Sequence, residues 1–74
     1  MNKKTIKLIT LHDLNDFVSK ASIVEGDIIV SHGRYAVDGK SVMGMMSLDV
    51  SNGCIVEYPA DATEFENFIS KFEI

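Results

Sequence analysis

The sequence predicts an α+β fold, with three helices on one face of a four-stranded, mostly antiparallel sheet. Three observations lead there. Apolar residues follow strand or helix spacing in the order strand, helix, strand, strand, short helix, strand, helix. Turn signals ending in glycine, His32-Gly33 and Asn52-Gly53, separate successive runs. The helices carry apolar stripes, and helices gathered on one sheet face bury every stripe. At 74 residues the chain makes a single domain, 1–74, without linker, repeat or low-complexity segment.

Thr5-Ile6-Lys7-Leu8-Ile9-Thr10-Leu11 alternates with Ile6 and Leu8 on one side, which predicts a half-buried strand. Leu14, Phe17, Val18 and Ala21 then follow the i, i+3, i+4, i+7 spacing of an amphipathic helix. Thr10 or Asp13 is placed to cap it, and Gly26 to stop it. Asp27–Ser31 and Arg34–Asp38 read as strands of a hairpin turning at His32-Gly33. After Asn52-Gly53, Cys54–Tyr58 reads as the fourth strand, closed by Pro59. Asp61 with Glu64 three residues later forms a capping box for the last helix, whose stripe is Phe65, Phe68, Ile69 and Phe72.

The segment between the hairpin and the fourth strand, Gly39-Lys40-Ser41-Val42-Met43-Gly44-Met45-Met46-Ser47-Leu48, holds all but one of the four methionines. At roughly 100° per residue, Val42, Met43 and Met46 fall within about 100° of one another. Met45 and Leu48 fall on the far side, and they make the better inward pair because Leu48 leads back to the fourth strand. Val42, Met43 and Met46 are left facing outward. Methionine commonly fills irregular gaps in a core, and a flexible exposed group of methionines also suits an adaptable docking surface. Ser41 stands at the N-cap, where its oxygen accepts a backbone N–H. A phosphoryl group there would meet the positive end of the helix, with Lys40 adjacent.

The net charge of −4 argues against nucleic-acid binding, since nothing would neutralise a row of phosphates. No segment approaches the length of a membrane span. The lone Cys54 and the absence of an apolar run after Lys3-Lys4 point to a reducing, cytoplasmic setting. His12 and His32 are far apart, with no zinc-ligand spacing, and no serine, histidine and aspartate constellation singles out a nucleophile. Neither a metal, a cofactor nor enzymatic activity is expected.

Lys40-Ser41-Val42-Met43-Gly44-Met45-Met46-Ser47-Leu48 resembles the regulatory-serine segment of HPr, the histidine-containing phosphocarrier family of the bacterial sugar phosphotransferase system. Gly53, the length, the β-α-β-β-α-β-α order and Phe17-Val18-Ser19-Lys20-Ala21 agree with it. The resemblance implies an open-faced β-sandwich. It also makes Ser41 the regulatory phosphorylation site, and Lys40, Val42, Met43 and Met46 the docking residues for an HPr kinase or a LacI-type transcriptional regulator.

The family's active-site run, Gly-Leu-His-x-Arg-Pro-Ala, is replaced here by Leu11-His12-Asp13-Leu14-Asn15-Asp16, after a shortened loop. His12 stands about where the family arginine belongs, and Asp13 and Asp16 would repel a phosphohistidine. Aspartate at position 49 stands where the family usually has glycine, and it tolerates a left-handed backbone better than most residues. The expectation is a regulatory protein-binding domain, similar to paralogues that keep only the serine and lacking histidine phosphotransfer. The alternatives are a divergent phosphocarrier using His12, or an interaction module with no phosphorylation.

Overall fold

The computed structural model describes residues 1–74. Its elements run β1 (Asn2–Ile6), α1 (Leu11–Ser22), β2 (Ile29–His32), β3 (Tyr35–Asp38), α2 (Val42–Ser47), a short 3-10 turn (Val50–Asn52), β4 (Cys54–Tyr58) and α3 (Thr63–Ser70). The sheet order is β1-β4-β2-β3, and every neighbouring pair is antiparallel. β4 shows the alternation that makes one face apolar: Cys54, Val56 and Tyr58 are buried, whereas Ile55 is exposed.

The helices supply the other half of the core. Leu14, Phe17, Val18 and Ala21 of α1 are all buried, as their spacing predicts. Phe65 and Ile69 of α3 are buried, with Phe68 and Phe72 partly so. Phe17, Tyr58 and Phe65 meet edge to face, at centroid distances of 5.5 Å (Phe17 to Phe65) and 5.9 Å (Tyr58 to Phe65). Each such contact contributes about 0.5–1.5 kcal/mol beyond the area it buries. This aromatic cluster joins α1, β4 and α3.

Several boundaries differ from the sequence expectation. β1 lies earlier than Thr5–Leu11, because its length is set by its partner: Ile6 pairs with Cys54, the first residue of β4. Beyond it, Lys7 N–H donates to Phe72 and Leu8 N–H to Val50 instead. Ile6 and Leu8 still both point inward. The hairpin turns at Gly33-Arg34, one residue later than expected, with His32 paired to Tyr35. Gly33 takes φ +61° and no non-glycine residue has positive φ, the pattern of a type II′ turn with glycine first.

α1 ends at Ser22, short of Gly26. The Ser22 hydroxyl donates to Val18 O at 2.7 Å, and Val24 N–H turns back to Ala21 O, tightening the last turn. Asp61 does not cap α3. The N-cap position falls one residue later, on Ala62, so α3 has no side-chain cap. No helix is long and apolar enough to cross a membrane.

Candidate functional site

The approach to α2 is held by backbone contacts. Gly39 N–H donates to Ile28 O at 2.7 Å, and a Cβ at Gly39 would lie 2.6 Å from Ile28 Cγ2. Only glycine lets the chain pass so close to Ile28, the residue before β2. The Asp38 carboxylate then accepts Lys40 N–H at 2.9 Å, and Asp38 O accepts Ser41 N–H at 3.0 Å. This local turn delivers Ser41 in extended conformation (φ −107°, ψ 117°) as the N-cap of α2. Its Oγ accepts Gly44 N–H at 3.1 Å, as a serine cap should.

The two sides of α2 separate sharply. Met45 is 0% exposed and Leu48 8%, whereas Val42 is 42%, Met46 59% and Met43 84% exposed. A helix of six residues lying on the sheet has one buried side, and the angular positions decide which residues take it. The outward residues form an apolar patch directly after Ser41.

Lys40 occupies a place that its sequence neighbourhood does not reveal. Its ammonium group donates to Val24 O at 2.7 Å, tying the start of α2 to the chain just beyond α1. Nothing in the order of residues announces a contact across sixteen positions. Asp49 also departs from expectation, for its φ of −81° is not left-handed. Its carboxylate accepts Ser51 Oγ at 2.9 Å and Asn52 Nδ2 at 2.6 Å. These two bonds hold its carboxyl below the ordinary aspartate range.

His12 lies in the first turn of α1, and Thr10 Oγ1 caps that helix by accepting Asp13 N–H at 3.0 Å. The imidazole is largely exposed, with Nε2 at 3.2 Å from Asp16 Oδ2. No hydrogen bond or ion pair joins His12 to Ser41. His32 serves the fold: its Nδ1–H donates to Gly53 O at 2.8 Å and pins the hairpin to the start of β4. Burial pushes the Cys54 thiol up to about 11, so it stays protonated and unreactive. No group of three or more histidines, cysteines and acids is placed to hold a metal ion.

The family model described as "PTS HPr component phosphorylation site" matches residues 14–73, which takes in Ser41 and the α2 patch and begins after His12. Among solved structures, the chain is similar to HPr-C-His from Thermoanaerobacter tengcongensis, with TM-score 0.78 and 28% identity over 96% of this chain and 93% of that one. It is also similar to a phosphocarrier protein HPr from Bacillus anthracis str. Ames, with TM-score 0.73 and 22% identity over 99% of this chain and 96% of that one, which shows the shared fold. No curated protein matches the chain.

Proposed function

This chain belongs to the HPr family, the phosphocarriers of the phosphotransferase system, and we propose that it acts there as a regulatory docking domain switched at Ser41. The family consists of carriers, not enzymes, and its members work through phosphotransferase proteins and kinases. In this reading Val42, Met43 and Met46 form the docking face, for an HPr kinase or a LacI-type regulator, and the protein works in the cytoplasm. Lys40 completes the segment as a positioning residue, holding the start of α2 through its bond to Val24 O.

The observation that carries the proposal is the exposure of Met43 and Met46 immediately beyond a serine cap. A phosphoryl group on Ser41 Oγ would stand at the start of α2, whose first turn holds no acidic residue. The buried side of α2 would be untouched, so the change would be felt by the partner on the outer face. At His12, by contrast, Asp16 at 3.2 Å opposes an added dianion. Histidine phosphotransfer is therefore assigned no role.

Incubation with ATP and an HPr kinase tests both parts. Mass spectrometry should find one added phosphoryl group, absent in Ser41→Ala. The exposed-face variant Met43→Asp/Met46→Asp should fold normally and be modified much more slowly. Undiminished modification of that variant would remove the docking face, and no modification of the parent protein would remove the switch.

A further inference from the structure

Away from α2, the chain beyond α1 and the first turn of α3 enclose an open cleft of about 690 Å³. Its apolar lining comes from Ile23, Val24, Ala62, Phe65 and Phe68. Ile23 stands at its rim and is 77% exposed, the most exposed apolar side chain after Met43. Three carboxylates border the same space, those of Glu25, Asp61 and Glu64, and none makes an ion pair or a side-chain hydrogen bond. Lys20, the one cation among the lining residues, has its ammonium group 5.9 Å from the Phe68 ring centroid, and Lys71, outside the lining, stands 4.7 Å from the same ring. The cleft therefore offers apolar contact with an excess of negative charge, three carboxylates against one lysine in its lining.

A further feature selects among occupants. Because α3 has no side-chain cap, the N–H groups of Glu64 and Phe65 at the cleft have no acceptor within the protein. A peptide brings carbonyl oxygens to such donors, which a simple organic cation does not. We propose that this cleft docks a short basic segment of a partner protein, with an apolar side chain between Ile23 and Phe68 and flanking lysine or arginine against Glu25, Asp61 and Glu64. Charge complementarity fixes the sign of the partner, and the apolar lining fixes its anchor. No lining residue belongs to α2, so this surface stands or falls separately from the Ser41 reading.

The test is an amide-shift titration of the isotope-labelled protein with the blocked peptide Arg-Leu-Leu-Lys-Arg. Saturable shifts should centre on residues 23–25 and 61–68. The peptide Glu-Leu-Leu-Glu-Glu should leave them unmoved. The variant Glu25→Gln/Asp61→Asn/Glu64→Gln should weaken binding by about tenfold, the sum expected of three rim charges. Ile23→Ser, at an exposed position, should weaken binding several-fold without lowering the melting temperature. Equal binding of the acidic peptide would overturn the proposal, as would unchanged affinity in both variants. The same shifts produced by spermidine alone would mean that the cleft reads only charge. The same shifts on concentrating the protein by itself would make the occupant a second copy. Either result would also overturn the proposal.

Discussion

The first turns of α1 and α2 are built alike. At each, an N-cap hydroxyl accepts the N–H three residues on, from Asp13 to Thr10 at 3.0 Å and from Gly44 to Ser41 at 3.1 Å. Their surroundings differ. α1 opens with His12 and Asp13, and Asp16 lies one turn on against His12, so the positive end of its dipole already meets a carboxylate. α2 has no acid in its first turn, the nearby Asp38 carboxylate being bonded to Lys40 N–H, and it goes straight into exposed Val42 and Met43. A helix start is thus not a phosphate site by geometry alone. Neighbouring charge decides whether an added dianion is repelled, and neighbouring apolar surface decides whether a partner would sense it.

The largest expected effect sharpens the second half of that contrast. Met45→Ala should cost about 2–4 kcal/mol, as for other buried large-to-small changes. Met43→Ala and Met46→Ala should leave stability nearly unchanged, since neither side chain is buried. Denaturant unfolding measures all three. Equal losses would mean that α2 has no free face.

Smaller effects should come from the caps themselves. Ser41→Ala and Thr10→Ala should each cost about 1 kcal/mol, the typical loss of a hydroxyl cap. Ser41→Asp should restore most of the loss at α2, where the dipole favours a negative charge and the first turn holds no acid. Thr10→Asp should recover less, because Asp13 and Asp16 are already there. Equal recovery at both helices would break the comparison.

The smallest effect concerns the far end of α2. The Asp49 carboxyl lies below its ordinary range because Asn52 and Ser51 donate to it. A carboxyl depressed in the folded state supports the fold above its unfolded value and ceases to do so as pH falls through the folded one. Acid titration should therefore release the Asn52 side-chain amide resonance only below the ordinary aspartate range. Asp49→Asn should remove that transition and leave the α2 amides otherwise in place.

What could be read in advance follows the physics of each feature. The α1 stripe, the inward turn of Met45 and Leu48, and the limits of β4 rest on local periodicity, which the residue order contains. The displacement of β1 does not, because alternation says which residues face inward but not where the partner strand ends. Asp61 failed as a cap for a similar reason: Pro59 O takes Ala62 N–H at 3.0 Å and Asp61 O takes Thr63 N–H at 2.9 Å, a turn that moves the N-cap on to Ala62. Within the candidate site, Ser41 and its patch were legible. The Lys40 bond to Val24 and the cleft beside α3 depend on contacts between distant segments and left no local sign.

The contrast between the two helix starts can be tested in one measurement. Phosphorus NMR would compare the protein after treatment with ATP and an HPr kinase, and after treatment with phosphoenolpyruvate and the general phosphotransferase enzyme. A single acid-stable phosphomonoester resonance is expected, produced only by the kinase and lost in Ser41→Ala. An acid-labile phosphoramidate resonance from the second treatment, lost in His12→Ala, would contradict it.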